Sequence, residues 1–338
     1  MIAPAPSFEH LLRLSDSSGT FEHAELSSPR VELGYCTDDM ARVLVVASRE
    51  PIHTPAVDRL TTLAIRFLSG AQGVTGECRN RRNIRGRWTG RRTVEDCWGR
   101  SVWGLGTAAG RSQRDSLRQD ALAYFDHGVR RRSPWPRAMA FAALGAAEVV
   151  CALPDHRPAR ELLGDAVDTI RRPAQSAAWP WPEPRLSYAN AVLPEALIAA
   201  GAVLEQRDVL DEGLALLRWL LDHETDRGHL SLTPVGGAGA NDQRPRFDQQ
   251  PIEAAALADA CARAAEVTGD EQWLDGLRSA VDWFLGDNDV GVAMWDPATG
   301  GGFDGLTVEG PNLNQGAEST LALISTLQHA RRCFPTPV

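Results

Sequence analysis

Two kinds of helical segment alternate along this chain, and any fold must give each kind its own layer. Residues 41–47, 102–108, 138–150, 193–204, 252–265 and 317–327 repeat apolar side chains at helical spacing. Several of them are rich in alanine and glycine and carry little charge, which predicts burial on most sides. Between them lie amphipathic, charge-bearing stretches at 57–68, 114–125, 159–171, 208–222 and 271–284, which suit an outer layer. Convincing strand alternation is scarce. The inner segments are heralded by polar or aromatic clusters starting near Gly34, Thr93, Ser133, Leu186, Arg246 and Asn312, at intervals of about 40 to 66 residues. Each interval has room for one helical hairpin and its loops. Six hairpins closing on themselves predict an all-α (α/α)6 barrel, with residues 1–338 as a single domain and the inner-helix N-termini crowded around one end of the axis.

Composition limits the chemistry. With 338 residues, 43% of them hydrophobic, the chain can bury a core. Its 44 acidic against 35 basic residues leave a net charge of -9, which argues against nucleic acid as a partner. All 35 basic residues are arginine. Without lysine no Schiff base, Walker-type phosphate clamp or covalent pyridoxal chemistry is available. The cysteines, Cys36, Cys78, Cys97, Cys151, Cys261 and Cys333, form no CxxC pair and no zinc spacing, so they read as reduced and mostly buried. No secretory leader and no run of eighteen apolar residues is evident, so a soluble, cytoplasmic protein without membrane contact is expected. No nucleophile elbow or dinucleotide fingerprint appears, and neither a metal nor a cofactor is demanded by any spacing.

The clusters carry the candidate chemistry. In GYCTDDMAR, from Gly34, the adjacent Asp38 and Asp39 open a buried helix. Thr37 or Asp38 could cap that helix, and two neighbouring carboxylates in a confined mouth should not both ionise freely, leaving one available as an acid. VEDCWGR repeats the pattern with Glu95 and Asp96, followed by Trp98 and Arg100. Two acid pairs with an aromatic ring alongside suit a carbohydrate: carboxyls for the glycosidic oxygen and a flat ring for a sugar face. SPWPRAMAF presents Trp135 and Arg137, LSYANAVLPEAL presents Tyr188, Asn190 and Glu195, and RFDQQPIEAAAL presents Asp248, Gln249, Gln250 and Glu253.

PNLNQGAESTLAL adds Asn314, Gln315 and Glu318, whose amides match sugar hydroxyls. Asp304, in a glycine-rich stretch, reads as a turn aspartate in preference to a catalytic one. Residues 79–92 carry seven arginines around Trp88 and read either as a solvated loop or as a lid over the mouth. His10, His23, His53, His127, His156, His223, His229 and His329 are dispersed, and His23 alone closely precedes a polar cluster, so a histidine-pair mechanism has weak support.

Taken together, SDSSGTFEHA, GYCTDDMAR, VEDCWGR, SPWPRAMAF, LSYANAVLPEAL, FDQQPIEA and NQGAEST resemble, through nearly the whole chain, a bacterial family often labelled glycosyltransferase-like. The resemblance implies a link to mannoside phosphorolysis and sugar transfer. Its label reflects fusions to nucleotide-sugar transferases, for which this chain has no room. Relatives carry a small polar residue where Trp98 stands and asparagine where Met40 stands. A looser likeness is to (α/α)6 glycoside hydrolases of α-mannans, in which adjacent aspartates at an inner-helix start serve as nucleophile and acid/base; Asp38 and Asp39 match that pattern locally. Sugar 2-epimerases and unsaturated uronyl hydrolases share the toroid, but the epimerases rely on histidines at inner-helix ends. Terpene cyclases also use an α-toroid with a DxDD acid, a motif that Cys36 breaks here.

The expectation is therefore a glycoside hydrolase acting on an oligosaccharide laid across the mouth, with a sugar epimerase or a non-catalytic sugar-binding protein as rivals. Asp38, Asp39, Asp96 and Asp248 are the catalytic candidates, with Glu95, Glu253 and Glu318 in support. Trp88, Trp98, Trp135 and Tyr188 are the stacking candidates. Arg42, Arg100, Arg137, Asn190, Glu195, Gln249, Gln250, Asn314 and Gln315 complete the binding set. Carboxyl separations of about 5 to 5.5 Å would give retention, and roughly 6.5 to 9.5 Å inversion.

Overall fold

The computed structural model describes residues 3–52, 54–171, 176, 178–242 and 246–334. Twelve helices run through these residues: α1 (Glu9–Arg13), α2 (Thr37–Arg49), α3 (Pro55–Ala71), α4 (Asp96–Arg111), α5 (Asp115–Gly128), α6 (Pro136–Ala152), α7 (Arg157–Ile170), α8 (Val192–Val203), α9 (Arg207–Glu224), α10 (Pro251–Thr268), α11 (Gln272–Leu285) and α12 (Ala317–Cys333). Helices α2, α4, α6, α8, α10 and α12 pack in that order, and α12 returns to α2 to close the ring. Outside it, α3, α5, α7, α9 and α11 each lie against the inner helix before them, while the short α1 packs on α12. This is the (α/α)6 barrel. All six inner segments and all five outer ones expected from periodicity fall in the layer assigned to them.

The inner layer owes its small radius to residues without bulk. A Cβ on Gly106 would stand 2.3 Å from the Gly145 carbonyl oxygen, and one on Gly145 would stand 2.3 Å from that of Val102, so α4 and α6 touch backbone to backbone. Outer helices are anchored by one apolar stripe, as in α7, where Leu162, Leu163, Ala166, Val167 and Ile170 are buried and the opposite face is charged. Among the described residues the loops carry six small sheets, with strands of two or three residues. One of them pairs Tyr35–Cys36 with Arg81–Arg82 and Arg81–Arg82 with Trp88–Thr89, tying the arginine-rich stretch to the entry of α2.

Because the inner helices run parallel to one another, their N-termini and partial positive charges meet at one end of the barrel, and their C-termini meet at the other. Charge is sorted accordingly. Acids crowd the N-terminal mouth. The C-terminal end holds a cavity of about 380 Å³ lined by Arg49, Arg111, Arg263, Arg331 and Arg332 with the acids that pair with them. No helix among the described residues is long and apolar enough to cross a membrane. All six cysteines are free, and Cys151 is the one exposed.

Candidate active site

At the mouth a pit of about 570 Å³ is walled by the starts of α2, α4, α10 and α12, by the turn before α8, and by the N-terminal segment around Glu22. Asp38 stands on its wall with its side chain 20% exposed. Asn80 donates to Asp38 Oδ2 at 2.8 Å, and Arg100 Nε lies 3.7 Å from Oδ1. Burial raises the proton affinity of Asp38, aided by Asp96 and opposed by Arg100, Arg42 and the Asn80 hydrogen bond. Asp96, on the next inner helix, accepts from the Tyr188 hydroxyl at 2.8 Å and lies 4.0 Å from Arg100 Nη2. Tyr188 in turn is kept protonated by burial and by the Asp96 carboxylate. Asp38 and Asp96 therefore face one pit across a single guanidinium.

Asp39 has a different post. Only 3% of its side chain is exposed; Arg42 donates to it at 2.6 Å and Cys36 Sγ at 3.0 Å. Burial pushes it up to about 6, against the pull of Arg42. Arg42 also donates to Glu318 at 2.5 Å, so Asp39 fixes a guanidinium that presents Glu318, the more exposed acid of that triad. Neither Thr37 nor Asp38 caps α2. Cys36 does so, accepting from the Asp39 amide at 3.4 Å, while the Thr37 hydroxyl donates to the Arg79 carbonyl.

Glu22, His23 and Asp304 are among the pit residues that the sequence reading left outside the site set. Glu22 and His23 arrive from the N-terminal segment, their side chains 3.6 Å apart, with Arg81 paired to Glu22. Asp304, expected to serve a turn, instead faces the pit. Its carboxylate accepts from the Gly316 amide at 2.7 Å, and burial raises its proton affinity. No inner-helix pattern marks these residues; the nearest signal was the position of His23 just ahead of the first cluster. Glu22, Cys36 and Asp39 place donor atoms within 4.8 Å of one another. The carboxylates of that trio are already engaged by Arg81 and Arg42, which leaves them poorly suited to a cation.

Of the remaining candidates, Gln250 and Glu253 line the pit. Glu253 accepts from the backbone amides of Ala189 and Asn190 and from the Asn190 side chain, and so shapes the turn carrying Tyr188. Glu95, Trp135 and Arg137 line a groove of about 630 Å³ that opens beside the pit. Asn190 is buried between Arg137 and Glu253 as a bracket.

Several expectations are corrected by position. Trp98 is fully buried and donates to the Gly128 carbonyl at 3.0 Å, packing the barrel wall instead of a sugar. Trp88 stacks edge-on to Phe67 at 4.9 Å and beside Arg82, away from the pit. Asp248 is exposed outside the pit. Gln249 is buried and accepts from Trp283 Nε1 while donating to Asp289. Glu195 lies deep on the axis, paired with Arg263 at 2.9 Å. Asn314 accepts from the Leu26 amide, and Gln315 bonds Thr299 and Asp296; both hold loops together. His53 lies outside the described residues.

No family model matches the chain, and no curated protein matches it in sequence. Solved structures do match its fold. A sugar epimerase from a ruminal bacterium is similar with a TM-score of 0.71 and 12% identity, over 98% of this chain and 96% of that one. Cellobiose 2-epimerase from Bacillus thermoamylovorans is similar with a TM-score of 0.72 and 12% identity, over 95% of each chain. A cellulase of C. cellulolyticum, solved with cellobiose, is similar with a TM-score of 0.63 and 10% identity, over 94% of this chain and 88% of that one. At such identities the likeness establishes a shared (α/α)6 toroid.

Proposed function

We propose that the chain is a carbohydrate-active enzyme, and specifically a glycoside hydrolase in which Asp38 and Asp96 carry the chemistry. The observation behind this reading is the meeting of two carboxyls from adjacent inner helices at one open pit, one of them held proton-rich by burial. Asp38 gives its proton to the glycosidic oxygen as the bond breaks. Asp96, its lone pairs aimed by the Tyr188 hydroxyl, either takes a proton from the water that attacks the anomeric carbon, or attacks that carbon itself to form a glycosyl ester that water, deprotonated by the Asp38 carboxylate, then hydrolyses. Arg100 between them limits the repulsion as charge redistributes. Two of the fold neighbours described above are epimerases, which supports a second reading, inversion at a sugar carbon. Among the described residues, however, His23 is the one histidine lining the pit, and His329 sits at the far end of the barrel bonded to Asp259. The pit is supplied with carboxyls and not with an imidazole pair.

Incubation with mannosides, glucosides and arabinosides, following new reducing ends and the C2 configuration in the same samples, separates the readings. New reducing ends that vanish in D38N and D96N support hydrolysis. Interconversion at C2 without new ends moves the function to the second reading.

A further inference from the structure

The groove beside the pit is not an independent hollow: Arg81, Asp96 and Tyr188 line both. Together the two cavities, about 570 and 630 Å³, exceed what one small ligand fills, since typical ligand pockets span about 300–1,000 Å³. Their linings differ. The pit is the more acidic of the two, whereas the groove alone holds Trp135, with Tyr188 shared between them. Trp135 is 58% exposed at the start of α6, where Pro136 opens the helix and the Ser133 hydroxyl accepts from the Trp135 amide at 3.1 Å. So much uncovered indole on a rigid helix start is an apolar surface that the fold itself leaves unused. Tyr188 is 44% exposed and clamped at both ends, its hydroxyl on Asp96 and its ring under the Arg137 guanidinium at 4.9 Å.

Charge in the groove is balanced. Arg81, Arg91 and Arg137 stand against Glu95, Asp96 and Glu183, and Arg137 is committed to Glu183 while Arg81 is committed to Glu22. A flat ring with a polar rim and no net charge fits a neutral sugar, and does not fit a uronate or a phosphate.

Building on the proposed function, we infer that the groove is a sugar-binding subsite distinct from the catalytic pit. A neutral oligosaccharide passes over Asp96, with one residue in the pit and the following residues on Trp135 and Tyr188. The substrate class is thus an oligosaccharide of at least three neutral residues, and a monosaccharide glycoside occupies the pit alone.

The test uses the full chain carrying D38N, so that binding is read without turnover. Manno-, gluco- and arabino-oligosaccharides of one to six residues are titrated calorimetrically. Affinity should rise with length to about three or four residues for the preferred sugar and be unchanged by a terminal carboxylate-bearing competitor. W135A should weaken trimers and longer chains about tenfold and leave single residues unaffected, with W135F recovering most of the loss. Equal affinity for one and for four residues, an unchanged W135A titration, stronger binding of uronate chains, or no binding of any oligosaccharide would overturn the subsite. Length-dependent binding that W135A removes, together with full hydrolysis by D38N and D96N in a separate assay, would leave the subsite standing and remove the catalytic assignment.

Discussion

Arg100 stands between Asp38 and Asp96, its Nε 3.7 Å from one carboxylate and its Nη2 4.0 Å from the other, while its guanidinium plane covers Phe141 at 3.9 Å. Burial raises the proton affinity of Asp38 and Arg100 is the leading influence that lowers it. Removing the cation must therefore raise that affinity further. In R100Q the alkaline limb of kcat/KM, which on the proposed mechanism reports loss of the Asp38 proton, should move upward. R100K should keep it near its original position. A limb that stays put or moves downward in R100Q removes Asp38 as the proton donor.

The two acids should be indispensable to rate but not to folding. D38N and D96N are expected to lower kcat by roughly 10²–10⁴-fold, as loss of general acid–base catalysis does, with melting temperatures close to that of the parent. Because Asp39 works through Arg42, D39N should lose less rate and more stability. A D39N enzyme slower than D38N would reverse the two posts.

Glu253 provides a pH test of stability. Burial, and then the Glu224 carboxylate, push its carboxyl up to about 8, against the donors of the Asn190 turn, whereas in the unfolded chain it titrates at about 4.3. Between those values the unfolded chain sheds a proton that the native state keeps. Its contribution to stability is thus complete below about pH 4.3 and declines as pH rises toward 8. Thermal melts across this range should show the parent losing ground relative to E253Q as pH increases, although E253Q starts lower through its disturbed hydrogen bonds. Parallel curves would refute the shift.

Trp98 supplies the contrast. In W98F the Gly128 carbonyl loses its buried donor and part of the ring volume is vacated, which should cost about 1–3 kcal/mol. Denaturant melts measure that loss, while kcat/KM of the remaining folded enzyme should be unaltered. A change in oligosaccharide affinity at constant stability would return Trp98 to the binding surface.

The barrel was legible because alanine- and glycine-rich segments alternate with amphipathic ones, a pattern set by two concentric layers. The polar clusters correctly marked the helix starts at the mouth, yet they did not tell which side chains face inward. Helical phase decides that: Asp96 and Arg100, four apart, share a face, whereas Trp98 lies about 200° round from Asp96 and turns to α5. Likewise Gln249 and Gln250 precede α10 on extended backbone, where neighbouring residues alternate sides, so Gln250 enters the pit and Gln249 does not. Glu22, His23 and Asp304 were hidden because they reach the mouth through tertiary folding of distant loops, without a local periodic signature.

The glycine seam between α4 and α6 has a consequence for specificity. Asp96 and Trp135 stand at the starts of two helices whose backbones touch, so they ride on one stiff slab, and neither can shift without prising the seam open. With Asp96 and Trp135 in the roles proposed for them, the gap from carboxyl to indole would be a fixed ruler: sugar chains whose repeat does not match it would be refused by geometry, and a new linkage preference would have to be built by exchanging side chains on the slab.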